Sequence, residues 1–326
     1  KKIMKSKNAL NAFDISKFHE YRQLLNTSIG KNLIYHDTVT STMDIVPKDA
    51  EHGTVVVAEC QTKGRGRKKG RKWQSSNSEN IYCTIKYDNR EYLKQMTDFF
   101  KINLAASIAM CQAIHEVGVT EAGIKWPNDI IIEDSNKRKY KKLAGMLVTI
   151  EQKDFDPKQK NQNQLANSFV HIGIGINVNQ SFLTSFIPES TVKEETKVNN
   201  EEQFDKTDTS KDAIRAAINW IVQPVSCKDA LKDSGSISRE KILANVCHNI
   251  DRLMKQPWED VLDEYLKYDR VIGRDLYIYP NDYENIEAVQ KGTAIGLSKH
   301  TGGLKIRYEN GNIRDIMTGE VSIRYQ

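Results

Sequence analysis

Three things are scarce in this 326-residue chain, and each absence removes a class of function. No apolar run approaches the roughly 18 to 20 residues that a membrane-spanning helix needs. Lys1 to Leu10 is basic and polar, with none of the apolar core of a secretory signal, so a cytoplasmic location is expected, with organellar targeting left open. The five cysteines, Cys60, Cys83, Cys111, Cys227 and Cys247, are odd in number and contain no C-x-x-C spacing, which argues against a disulfide framework and against a zinc site. They read as reduced, buried small hydrophobes. Charge of one sign is also lacking: 48 basic against 43 acidic residues leave only +5, so no broad polyanion-binding face is expected.

What positive charge there is in excess gathers in one place. Gln61 to Trp73, QTKGRGRKKGRKW, holds three glycines and seven cationic side chains between the apolar runs Thr54–Ala58 and Ile81–Ile85. Glycines allow positive φ and a close approach of the main chain to a ligand, while arginine offers a rigid fork of donors to carboxylate or phosphate. A run of this kind also suits a nucleic-acid patch. Its position between two strand-like segments of a folded region favours a small anionic ligand.

The rest of the chain alternates strand and helix signals. Asp14–Leu25 has helical spacing with Asp14 as the N-cap. Strands are expected at Leu33–Tyr35, Thr54–Ala58 and Ile81–Tyr87, and an amphipathic helix at Lys101–Val117. Ile124–Glu133 and Leu143–Glu151 read as two strands joined by a charged turn, with a polar loop at Gln152–Ser168 before a further strand at His171–Val178. Ser185–Lys211 has almost nothing to bury and reads as a disordered insertion. Helical pattern returns at Asp212–Ile221 and at Ser238–Tyr268, where Ser238 is the cap and Pro257 restarts the helix. After Gly273 come four short strands, Asp275–Tyr279, Thr293–Leu297, Leu304–Tyr308 and Val321–Tyr325, a small β-domain of about 55 residues.

Four motifs stand in order on the larger part: GRGR at Gly64–Arg67, KWPND at Lys125–Asp129, KLAG at Lys142–Gly145 and GIGIN at Gly173–Asn177. Together they resemble the biotin protein ligases, closely over Ile34–Val178 and loosely beyond. The resemblance implies an α+β fold with a mixed, largely antiparallel sheet and flanking helices, of the class II aminoacyl-tRNA synthetase and biotin/lipoate ligase type. It implies three parts: an N-terminal helical extension (1–30), a catalytic domain (31–270, with polar insertions near 152–168 and 185–211) and a C-terminal SH3-like β-barrel (271–326).

By the same resemblance, biotin and ATP are substrates, with Mg2+, and biotinyl-5'-AMP is the intermediate. The acceptor is a lysine of a biotin carboxyl carrier domain, the protein being monomer or homodimer. Lys142, Arg67 and Arg65 would be the catalytic cations. Ser41, Thr42, Met43, Gln61, Gly64, Gly66 and Gly145 would join them around biotin, Met43 replacing the commoner Asn of the family. Trp73, Asn128 and Asn177 would lie toward the adenylate, and Asp129 toward magnesium. The loop departs from the family in carrying five residues, Lys68 to Lys72, between GRGR and the tryptophan. About 30 residues before Ile34 are too few for a helix-turn-helix module, so ligation without DNA binding is expected. Two rivals remain: a lipoate or octanoate ligase of the same fold, and a non-enzymatic nucleic-acid-binding protein using the basic loop.

Overall fold

A computed structural model describes residues 12–67, 72–76, 78–88, 96–134, 139–152, 168–182, 222–232, 235–279, 289–317 and 320–323. The expected insertion at 185–211, the helix at 212–221 and most of the loop at 152–168 lie outside them. Seven strands form the main sheet: β1 (Leu33–Val39), β2 (Val55–Gln61), β3 (Ile81–Asp88), β4 (Gly123–Lys125), β5 (Asp129–Asp134), β6 (Lys139–Gln152) and β7 (Ser168–Ile176). Their order is β1-β2-β3-β7-β6-β5-β4, and only β1 and β2 run parallel. The α+β class with a largely antiparallel sheet is therefore the observed one.

Helices α1 (Ile15–Leu24), α2 (Met96–His115), α3 (Cys227–Leu231), α4 (Arg239–Lys255) and α5 (Trp258–Leu266) complete this layer. Asp14 accepts the Lys17 amide at the start of α1, and Ser238 accepts that of Lys241 at the start of α4, as the cap residues require. Against expectation, α2 has no polar face in its middle: Ile102, Leu104 to Cys111, Ala113 and Ile114 are all buried. The sheet takes one side of it, and α4 and α5 cover the other. No described helix is long and apolar enough to cross a membrane.

The KWPND segment also departs from the expected single strand. The chain reverses at Trp126–Asn128, with a cis Trp126–Pro127 peptide, so that Lys125 of β4 pairs with Asp129 of β5. A second, antiparallel sheet holds β8 (Asp275–Tyr279), β9 (Gln290–Leu297), β10 (Leu304–Tyr308), β11 (Ile313–Ile316) and β12 (Glu320–Ile323) in the order β11-β10-β9-β8-β12. The four-residue β11 was not expected; its exposed side chains carry no alternation. One continuous apolar core runs from Phe13 and Phe18 through α2 and α4 to Leu276, Leu304 and Ile306. Arg274, beside β8, reaches Glu133 of β5 at 3.3 Å, and the Trp258 indole donates to the Lys299 carbonyl.

Candidate active site

One face of the main sheet carries a cavity of about 60 Å³ that is partly open to solvent. Its floor follows from register. Gly145 of β6 pairs with Gly175 of β7, and Leu147 with Gly173, so that Gly145, Gly173 and Gly175 share a face and leave a trough in it. A Cβ on Gly175 would lie 2.7 Å from the Trp73 ring, and one on Gly173 would lie 2.7 Å from the Met43 sulfur. The trough is occupied by those two side chains, and any side chain at these glycines would evict them.

The walls come from short connecting segments. A turn at Thr42–Asp44 follows β1, with Ser41 as its cap. The Thr42 amide donates to Gln61 Oε1 at 2.9 Å, and the Thr84 hydroxyl donates to that of Thr42 at 2.8 Å. This chain of neutral polar groups is buried at Thr42 and Thr84. The cations Arg65, Arg67 and Lys142 line the same cavity. Arg65 Nη2 is 2.6 Å from Asp44 Oδ1, an exposed pair. The Trp73 amide donates to the Gly64 carbonyl, and a Cβ on Gly64 would meet the Trp73 carbonyl at 2.5 Å. Neither Gly64 nor Gly66 has a positive φ, and at Gly64 close packing is what demands glycine.

Lys142 reaches the cavity through an irregularity. Opposite β5, Ile130 pairs with Ala144 but Ile131 pairs with Lys142, which leaves Leu143 as an extra residue on β6. Strict alternation would put Lys142 and Gly145 on opposite faces; the bulge puts both on the cavity side, with Lys142 Nζ where a Gly145 Cβ would collide. The Lys142 backbone is pinned outside the sheet, its amide donating to the Gln223 carbonyl and its carbonyl accepting from Val225. Its Nζ stands 2.6 Å from Asp129 Oδ1 and 5.3 Å from the centre of the Trp73 ring. Burial pushes the Asp129 carboxyl up, but Lys142, Lys125 and Arg67 outweigh it and the net shift is downward, so Asp129 is anionic at neutral pH.

Of the residues expected at the site, Ser41, Thr42, Met43, Gln61, Arg65 and Gly66 line the cavity together with Arg67, Trp73, Asn128, Lys142 and Gly145. Asn128 is tied to β6, its amide donating to the Met146 carbonyl at 2.7 Å. Gly64, Asp129 and Asn177 stand outside the lining. Gly64 lies under Trp73, Asp129 on Lys142, and the Asn177 amide donates to the Val225 carbonyl at 3.2 Å. Sequence reasoning missed Gly173, Gly175 and Asp44. A glycine at every second position of GIGIN was the available signal for the first two, since period 2 places them on one strand face. All five cysteines are free, and burial pushes Cys83, Cys111 and Cys227 up to about 12, which leaves inert thiols.

The Biotin/lipoate A/B protein ligase family matches residues 35–155, the span that supplies β1 to β6 and all the cavity's charged side chains. That span of the chain resembles the family. The bifunctional ligase/repressor BirA of Bacillus subtilis is 34% identical over 166 residues, 49% of this chain and 45% of that protein. The Escherichia coli protein of the same name is 25% identical over 282 residues, 85% of this chain and 68% of its own length. The chain thus spans less than half of the Bacillus relative. Among solved structures, the Aquifex aeolicus biotin protein ligase in complex with biotin and ATP covers 91% of this chain and 100% of its own, at 23% identity and a TM-score of 0.61. The chain therefore shares the fold of that structure.

Proposed function

We propose that this protein is a biotin protein ligase, which joins biotin to ATP as biotinyl-5'-AMP and passes the biotinyl group to a lysine of a biotin carboxyl carrier domain. One observation carries the reading: a single trough is lined both by the neutral side chains of Ser41, Thr42 and Gln61 and by the cations Arg65, Arg67 and Lys142. A small neutral ring with a carboxylate tail finds partners for both of its parts in that lining. In the first step the carboxylate oxygen attacks the α-phosphorus, and the bond to the β-phosphate breaks to release pyrophosphate. Negative charge builds on the phosphoryl oxygens, where preorganised cations act most strongly. In the second step the carrier amine attacks the acyl carbon, loses a proton, and AMP departs with its oxygen.

Within this scheme Ser41, Thr42 and Gln61 hold the ring, with Met43 over Gly173 as an apolar wall. Arg65, Arg67 and Lys142 hold the carboxylate and phosphate. Trp73, Asn128 and Asn177 belong to the adenylate side, Asn177 acting through the backbone it ties down. Among the described residues no three His, Cys, Asp or Glu side chains converge. Magnesium enters on ATP, held chiefly by the phosphates, as is usual for this ion. Residues 31–270 form the catalytic domain and 271–326 a packed accessory β-domain.

The test is pyrophosphate exchange into ATP with Mg2+ and biotin, lipoate or octanoate in parallel. Exchange with biotin alone is expected. Exchange with lipoate or octanoate instead moves the assignment to the neighbouring ligases, and salt-steep RNA or DNA binding without exchange removes ligation altogether.

A further inference from the structure

The catalytic lysine expected from the KLAG motif does not stand alone. We infer that Asp129 is a positioning residue for Lys142, holding its ammonium over the trough across the β5–β6 ladder, instead of serving as a magnesium ligand. The inference rests on the ligase reading only for its consequence in catalysis; the contact itself is independent of it.

Several features converge on the same atom. The turn after Trp126 and Pro127 makes Asp129 the first residue of β5, directly opposite Gly145 in register. The bulge at Leu143 then swings Lys142 to that same face, and the glycine at 145 leaves room for its Cε and Nζ. The resulting Nζ–Oδ1 distance is 2.6 Å, with the two side chains 29% and 21% exposed. At such partial burial a charge pair is screened less than at an open surface, and one oxygen uses only one of the three ammonium protons. The others are left for the cavity side. The Trp73 ring limits the swing from above, and the backbone bonds to Gln223 and Val225 fix the origin of the side chain. A flexible four-carbon stem loses reach and precision unless something holds its tip, and a carboxylate across the ladder does so before substrate arrives.

A magnesium role for Asp129 would have to break its contact with Lys142. Its carboxylate faces a lysine at hydrogen-bond distance, and among the described residues no group of three His, Cys, Asp or Glu side chains is formed that could hold a metal ion.

Two measurements test this. The first needs no ligand: the rate at which Lys142 is acylated by an amine-reactive ester, read by mass spectrometry on the full chain, in wild type and Asp129→Asn. Release of the ammonium is expected to speed labelling at least threefold, a conservative share of the coupling that contacting charged groups have. Equal labelling overturns the proposal, whatever the protein's activity. The second uses a sulfamoyl analogue of biotinyl-5'-AMP without magnesium. Asp129→Asn should weaken its binding about tenfold in the native background and leave it unchanged in Lys142→Ala, the non-additivity expected of two groups acting as one unit. A loss of equal size in both backgrounds, or a loss only when magnesium is present, refutes positioning. Failure of wild type to bind the analogue at all would instead count against the ligase reading, and the labelling result would still decide on Asp129.

Discussion

Replacing Arg239 by leucine should be the most damaging single change away from the cavity. Arg239 opens α4 and Glu59 sits on β2; Nη1 lies 2.7 Å from Oε2, and both side chains are 5% exposed. The second Glu59 oxygen accepts the Phe13 amide at 2.5 Å and the Tyr35 hydroxyl at 3.0 Å. Burial, then the charge on Glu59, pushes the Tyr35 phenol up, so it remains a donor at any physiological pH. Four segments therefore meet on one buried carboxylate. Without the guanidinium that carboxylate keeps two neutral donors and no counter-charge, for which about 3–5 kcal/mol is the usual loss. A chain of this size moves its Tm by about 2–4 °C per kcal/mol, so a drop of roughly 6–20 °C is expected. The leucine variant and the double variant Glu59→Met/Arg239→Leu should be compared by urea unfolding followed by circular dichroism, with slopes checked for equality. Because the double variant buries no unpaired charge, it should be more stable than Arg239→Leu alone. If the single variant unfolds within about 1 kcal/mol of wild type, or if the two substitutions simply add, the pair does not carry the load assigned to it.

Lys142→Ala should lower biotin-dependent pyrophosphate exchange by at least about 10²-fold, the cost of one oxyanion donor, with unfolding unchanged in cooperativity; near-normal exchange refutes its role. Arg67→Gly should release biotinyl-5'-AMP, seen as avidin-detected labelling of bystander lysines, and retention as tight as in wild type would remove its part in closing the site. Gly175→Ala places a Cβ 2.7 Å from the Trp73 ring, so about 1–3 kcal/mol of overpacking and an altered tryptophan fluorescence are expected; an unchanged spectrum and stability would contradict the seating of Trp73 in the trough. His171 is buried on β7, and burial, against Glu151 but with Lys86, holds its pKa below the ordinary value. The unfolded chain thus binds the proton first: this contribution to stability is complete above about pH 6.5 and is lost as pH falls below it. Wild type should lose stability relative to His171→Gln across that window in pH-dependent unfolding, and parallel curves would refute the assignment.

The parts of the site that could be read in the chain are those written in consecutive residues. GRGR, KWPND and KLAG name the cations, and the caps Asp14 and Ser238 name their helices, because each depends on neighbours within four residues. The parts that could not be read depend on which strand lies opposite. Nothing in KLAG announces that Leu143 is an extra residue; only the pairing of Ile130 with Ala144 and Ile131 with Lys142 makes it one. Without that bulge an alternating β6 would turn Lys142 into the core face when Gly145 faces the trough. The same reasoning separates the two readings of the basic loop. Read as sequence, its seven cations are equivalent charges suited to any polyanion. In the fold, the Gly64–Trp73 backbone bond and the Arg65–Lys72 bridge close its base, and Arg65 and Arg67 stand at the trough shared with Lys142. A polyanion needs charge spread along a surface. Three cations lining one cavity together with the neutral Ser41, Thr42 and Gln61 instead suit a small ligand that is only partly charged, and the loop's function follows from where its base is pinned more than from how many lysines it carries.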